Sequence, residues 1–187
     1  MRRWICQAVI GLTVACSISM FTAAAEVEKA EVPGIRNFTQ IDDNSGFGGA
    51  LVGFGGTTQP AAMAFLKNAG FTTVINLRLD SEENVAIDDS RAAAEDAGLQ
   101  YVHLPFDTEH PNQAAVESFL LTIQNPANQP VYIHCNSATR AAALWMIARV
   151  TKDGWQLDEA SREAEKIALK PPAAIAFASG YVASYGE

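Results

Sequence analysis

The 187-residue chain carries 21 acidic and 13 basic side chains, for a formal charge of −8. That balance excludes general binding to nucleic acid or acidic lipid, because the chain's own field repels polyanions. Nearly half of the residues are apolar and only three are cysteine, so a packed core rather than a disulfide framework must carry the fold.

Met1-Arg2-Arg3, the apolar stretch from Trp4 to Met20 and the small residues Ala23-Ala24-Ala25 together read as an export signal over 1–25. Cleavage is expected after Ala25, which places the domain in the periplasm or outside the cell. Thr13-Val14-Ala15-Cys16 is a weaker, lipoprotein-type alternative. The apolar run is short for a span, so no stable membrane insertion is expected after cleavage. Removal of the segment takes Cys6 and Cys16 with it and leaves Cys135 as a lone thiol.

Residues 26–46 read as an exposed leader. Glu26 to Pro33 is charged, and Asp42-Asp43-Asn44-Ser45-Gly46 is turn-rich. The acids there fall short of a calcium loop in spacing and ligand count. A domain over 47–187 follows, with its first strand around Ala50-Leu51-Val52. Gly55-Gly56 lacks the Lys-Ser/Thr end of a nucleotide loop and reads as a turn. A helix over 59–68 comes next, with Pro60 in its first turn and Ala69-Gly70 at its end.

Strands are expected over 71–77 and 99–104, separated by a helix over 82–97 that stops at Gly98. A helix over 113–124 and a linker over 126–130 lead to Val131-Tyr132-Ile133, a short buried strand. Ala141 to Val150 is apolar, holds no Gly or Pro, and continues as a helix. Leu157 to Lys170 has helical periodicity, with Ala160, Ala164, Ile167 and Ala168 on its apolar side and Glu159, Arg162, Glu163 and Lys166 on its polar side. Pro171-Pro172 ends it, and a last helix covers 173–185. This alternation calls for one α/β domain whose small, mostly parallel sheet is flanked by helices.

The chemistry concentrates in His134-Cys135-Asn136-Ser137-Ala138-Thr139-Arg140, between the buried strand and the helix after it. Loops at the carboxyl edge of an α/β sheet meet a helix N-terminus, where backbone N–H groups and the helix dipole favour an anion. A thiol at such a place is expected to be largely thiolate at neutral pH. Arg140 offers a planar fork for two oxygens of a phosphate or sulfate. His134 is expected beside the thiolate, hydrogen-bonding the loop backbone. The substrate this implies is a phosphorylated compound or another small oxyanion.

His-Cys, a short loop and Arg at a strand–helix junction resemble the signature of the cysteine-dependent tyrosine and dual-specificity phosphatases. More closely, the region from about Ile35 to Pro172 is similar to the bacterial beta-lactamase-hydrolase-like phosphatase domain. The matching pieces are Gly55-Gly56-Thr57-Thr58-Gln59-Pro60, Thr73-Val74-Ile75-Asn76-Leu77-Arg78, His103-Leu104-Pro105-Phe106-Asp107 and the Cys135 loop. The resemblance implies a cysteine-phosphatase-like fold and a phosphomonoester hydrolysed through a thiophosphoryl-cysteine. Cys135 is then the nucleophile, and Arg140 holds the phosphoryl oxygens. His134, Asn136, Ser137, Ala138 and Thr139 form the substrate-binding loop. The general acid comes from the segment Pro105 to Pro111, with Asp107 ahead of Glu109 and His110.

The loop departs from that signature. Four residues rather than five separate Cys135 from Arg140, and Ala141 stands where Ser or Thr is usual. The loop glycine is missing, and Asn136 is the residue that tolerates a left-handed conformation. One lost charge-assisted hydrogen bond, at roughly 1.5–3 kcal/mol, costs on the order of tenfold in rate. The shorter loop resembles that of rhodanese-type sulfurtransferases. A persulfide carried on Cys135 is therefore the alternative, and a catalytically weak anion-binding domain is the third reading. No cofactor is expected. His103, His110 and His134 have no zinc-like spacing, so no metal is expected either. The chain has no Gly-x-Ser-x-Gly elbow and no Ser-x-x-Lys, which disfavours serine-hydrolase and β-lactamase chemistry.

Overall fold

Val131–His134 is a strand with all four residues buried, as its β-branched and aromatic composition requires of a central position. The structure, a computed structural model, describes residues 26–42 and 51–185. Its strands are β1 (Val27–Lys29), β2 (Thr39–Asp42), β3 (Leu51–Gly55), β4 (Thr73–Asn76), β5 (Gln100–His103) and β6 (Val131–His134). They form one sheet in the order β1-β2-β3-β6-β4-β5. β3, β6, β4 and β5 run parallel, and β1 and β2 are antiparallel at one edge. Gly55, His134 and Asn76 lie side by side in register, so the strand ends that precede the Cys135 loop are level.

The helices are α1 (Met63–Asn68), α2 (Ile87–Asp96), α3 (Gln113–Gln124), α4 (Thr139–Thr151), α5 (Leu157–Ile167) and α6 (Pro172–Tyr185). Alternation along β6 divides the core in two. Val131 and Ile133 pack with buried residues of α3, α4, α5 and α6, while Tyr132 packs with Met63, Leu66, Ala94 and Leu99. The sheet is thus covered on both faces, and the expected single α/β domain with a mostly parallel sheet is what forms. Among the described residues, no helix is long and apolar enough to cross a membrane.

Three expectations need correction. Residues 26–42 are not an exposed leader: they supply β1 and β2, and Val32, Ile35, Phe38 and Ile41 are buried. Those four apolar residues sit three apart, a spacing that fits neither the helical nor the strand period. The second correction concerns α2, which starts at Ile87 rather than at residue 82. Asn84 and Ala86 take left-handed backbone angles (φ 55° and 39°), and the chain from Leu79 to Ala86 is a turn. The third is Glu163, which belongs to the interior. It is 5 % exposed and accepts from Trp145 Nε1 at 2.6 Å and from Arg149 Nε at 2.8 Å. The signal over 1–25 and the turn expected over 43–46 lie outside the described residues.

Every residue of α4 from Ala141 to Arg149 is buried. This helix carries the candidate site at its N-terminus, so the site stands on the most deeply packed element of the fold. Packing of this kind holds the side chains that start the helix in fixed positions.

Candidate active site

β6 ends at His134 and α4 starts at Thr139, so Cys135 to Ala138 make the turn between them. A strap from the end of β3 fixes the turn's shape. Cys135 N–H donates to Gly55 O at 3.1 Å, and Thr57 N–H donates to Asn136 O at 2.9 Å. Thr57 Oγ1 also donates to Asn136 Oδ1 at 3.1 Å. Gly56 sits so close that an added Cβ would lie 2.8 Å from Asn136 O and 3.2 Å from Ser137 Cα. The Gly55-Gly56 pair is therefore a close-approach device as well as a turn.

Ala138, not Asn136, takes the left-handed conformation, at φ 70° and ψ −6°. An alanine there costs about 1–2 kcal/mol of backbone energy. The conformation turns the chain directly into α4. The N–H groups of Asn136, Ser137, Thr139 and Arg140 donate to no protein acceptor among the described residues. Donors in such a run, at a helix N-terminus, form an anion cradle. Cys135 lies at its base, 1 % exposed, and is a free thiol.

Arg140 is anchored on one side and open on the other. Its Nη1 donates to Leu77 O and Phe106 O, both at 3.0 Å. Its Nη2 lies 2.6 Å from Glu82 Oε1. A guanidinium has five N–H donors. Nε and the second Nη2 hydrogen meet no acceptor among the described residues, so two donors are left for a ligand.

Glu82 was hidden from the sequence reading, which placed it in a helix. Burial pushes its carboxyl up. The Leu79 N–H and the guanidiniums of Arg140 and Arg78 outweigh that and hold it below the usual carboxylate range. Arg78 is itself 5 % exposed, pairs with Glu82 Oε2 at 3.1 Å and donates to the carbonyls of Glu83 and Asn84. It is a structural cation that ties the turn to the site. Nothing in the local sequence marks Glu82, whose role arises from Arg140, far along the chain.

His134 does not make the loop hydrogen bond expected of it. It is 2 % exposed, stacks on Tyr132 at 5.8 Å, and neither ring nitrogen has a partner among the described residues. The backbones of Cys135 and Gly56 lie close by without reaching hydrogen-bond geometry. Burial, reinforced by the Arg78 charge, pushes its pKa down to about 3, so the ring is neutral. Its contribution is to pack the strand end beneath the loop.

The Thr139 hydroxyl donates to Ala168 O and lies 3.2 Å from Ser137 Oγ. These two side chains therefore tie the start of α4 to the chain that follows α5. Asp107 follows Phe106, whose carbonyl Arg140 holds, so its segment is tied to the site. The Asp107 carboxylate accepts the Glu109 N–H at 2.9 Å and pairs with His110 Nδ1 at 3.1 Å. Those contacts hold its carboxyl below the ordinary range. His110 is highly exposed. Among the described residues, no group of three or more His, Cys, Asp and Glu side chains is placed to hold a metal.

The sheet, the loop at its carboxyl edge and the helix that receives it define a cysteine-phosphatase-like α/β fold. The chain belongs to the family described as beta-lactamase hydrolase-like protein, phosphatase-like domain, which it matches over residues 53–152. It is 33 % identical over 105 residues to the beta-lactamase hydrolase-like protein of Xylella fastidiosa, a stretch that is 54 % of this chain and 24 % of that one. The chain thus spans about a quarter of that relative's length. Among solved structures, a phosphatase-type protein of Shewanella putrefaciens CN-32 superposes with a TM-score of 0.64 at 24 % identity, over 82 % of this chain and 96 % of that one. TpbA of P. aeruginosa gives 0.59 at 20 % identity, over 83 % and 88 %.

Proposed function

We propose that this chain is an exported, cysteine-dependent phosphomonoesterase. The observation that carries the reading is the set of unpartnered loop donors around Cys135, completed by the two open donors of Arg140. Cys135 Sγ attacks phosphorus in line with the ester oxygen. The S–P bond forms as the P–O bond breaks, and the departing oxygen takes a proton from Asp107. Asp107, now a carboxylate, removes a proton from the water that hydrolyses the thiophosphoryl-cysteine, and Sγ departs as thiolate. The loop amides and Arg140 stabilise the charge on the equatorial oxygens.

The resting Asp107 is held ionised by the Glu109 amide and by His110, which fits the second step. The first step needs the protonated form and is favoured at acidic pH. The test is phosphate release from p-nitrophenyl phosphate between pH 4 and 7 by residues 26–187, beside the Cys135→Ser variant. Turnover that is lost in the variant supports the reading. Equal turnover in both proteins removes Cys135 from the mechanism.

The four-residue loop favours sulfur transfer as the second reading. That route needs no acid, so Asp107→Asn would leave thiosulfate-dependent thiocyanate formation intact while lowering phosphate release. Export is tested by the N-terminal residue of the protein recovered from the cell envelope fraction.

A further inference from the structure

Beside the Cys135 loop, between the β1–β2 edge and the end of α5, lies a cavity of about 430 Å³. That size falls within the usual range of small-molecule sites, roughly 300–1,000 Å³. Ser137 and Thr139 of the loop form part of its wall, together with Lys29, Arg36 and Lys170.

The charge of this lining is unusual for the molecule. Most described Lys and Arg side chains pair with an acid, donate to an oxygen or lie over a ring. Lys29, Arg36, Lys166 and Lys170 do none of these among the described residues, and three of the four line this one cavity. In a chain of net charge −8, a group of unmatched cations is a local preference for an anion, set against the overall field. Glu31 and Glu165 also line the cavity without pairing to these cations, so the surplus is modest and the site suits a compact anionic group.

The cavity is coupled rigidly to the loop. Arg36 exchanges backbone hydrogen bonds with the strap, from Gly56 N–H at 2.7 Å and to Thr57 O at 3.0 Å. Asn37 Nδ2 donates to Ser137 O at 3.4 Å. The Arg36–Asn37 main chain, which forms one wall of the cavity, is therefore held at a fixed offset from the Cys135 loop.

We propose that this cavity is a second oxyanion subsite. It takes a further phosphate or carboxylate of the same substrate whose scissile phosphoryl group sits at Cys135, so the preferred substrate is a small, multiply anionic phosphomonoester. The proposal rests on the reading of the Cys135 loop as a phosphate site. Calorimetry on a Cys135→Ser background tests it without turnover, using fructose 1,6-bisphosphate and fructose 6-phosphate as probes. The bisphosphate is expected to bind about tenfold tighter, as two exposed cation contacts allow. Arg36→Ala with Lys170→Ala should remove that preference and leave the monophosphate within about twofold. Glu165→Gln should strengthen the bisphosphate further.

Equal affinity for the two sugar phosphates, or a preference that survives the double substitution, overturns the proposal. Inorganic phosphate serves as a separate arm. Saturable phosphate binding that needs Arg36 and Lys170, with no preference between the two sugars, assigns the cavity to a free anion and overturns the substrate subsite. Bisphosphate binding that depends on Arg36 and Lys170 but not on Arg140 upholds an anion site in the cavity and overturns the phosphate reading of the loop instead.

Discussion

Arg140 and Arg149 stand near opposite ends of α4, and both are largely withdrawn from solvent. Arg149 is enclosed. Its guanidinium forks onto both oxygens of Glu163, bonds Asp153 at 3.0 Å, and lies between the rings of Trp145 and Trp155 at 4.6 and 4.2 Å. Arg140 is anchored by two carbonyls and Glu82 but keeps donors that meet no acceptor among the described residues. The same residue type on the same helix thus does two things. One closes a helix–helix junction, and the other is held at a fixed place, where the proposed function has an incoming anion complete it. Burial and ion pairing alone would not separate them; the donor count does.

Substitutions can break this comparison, and the largest effect expected is at Cys135, the proposed nucleophile. Cys135→Ser should lower kcat for p-nitrophenyl phosphate by roughly 10³–10⁶-fold. Its thermal midpoint should stay close to that of the parent, which calorimetry reads. The two arginines come next. Arg140→Lys keeps the charge but loses the planar fork, and kcat/KM should fall by about 10²–10³-fold with little change in stability. Arg149→Leu should do the reverse. It leaves the buried Glu163 carboxylate without its guanidinium, which costs on the order of 3–5 kcal/mol in urea unfolding, while kcat per folded molecule is retained. If both variants lose activity and stability in the same proportion, the division of labour between them is wrong.

His134 sharpens the contrast through pH. Its folded pKa lies at about 3 against an ordinary 6.5. The neutral ring therefore stabilises the fold above the ordinary value, and that stability is lost as pH falls from about 6.5 towards 3, because the unfolded chain takes up the proton first. The full loss is on the order of 5 kcal/mol. Unfolding free energies of the parent and of His134→Gln between pH 7 and 4 should converge as the pH drops. Parallel curves would remove His134 as a source of acid sensitivity.

The smallest effect expected is at His110. Its removal lets the Asp107 carboxyl rise towards its ordinary range. Activity that needs protonated Asp107 falls as pH rises through that pKa, so His110→Ala should move the decline in kcat to higher pH, by less than about one unit. A decline that stays in place would dissociate Asp107 from the leaving-group proton.

The loop that carries the site was legible because its signals are local. Val131 to Ile133 can only be a buried strand, Ala141 to Val150 only a packed helix, and the polar stretch between them has to turn at the sheet's edge. β1 and β2 were not legible, since strands of three and four residues that hold one large apolar side chain each, Val27 and Ile41, carry no period. Glu82 escaped for a different reason: its partner Arg140 is distant in sequence, and an acid in a polar run looks the same whether or not an arginine meets it. The left-handed residue was sought at Asn136 on side-chain preference, yet the geometry of entry into α4 assigned it to Ala138. Asp107 was correctly placed in a loop after a strand. Its pairing with His110, which favours the ionised form, becomes visible only with the fold.

The strap over the Cys135 loop has a consequence for how the molecule assembles. Thr57 holds Asn136, Leu77 N–H donates to His134 O, and Arg140 reaches Leu77 and Phe106, so three separated parts of the chain must arrive before the cradle exists. Contacts of such long range form late, after costly loop closure. Cys135 is enclosed only when they are complete. The change in its reactivity towards a thiol reagent during refolding is therefore a clock for the last step to the native state, readable without any substrate.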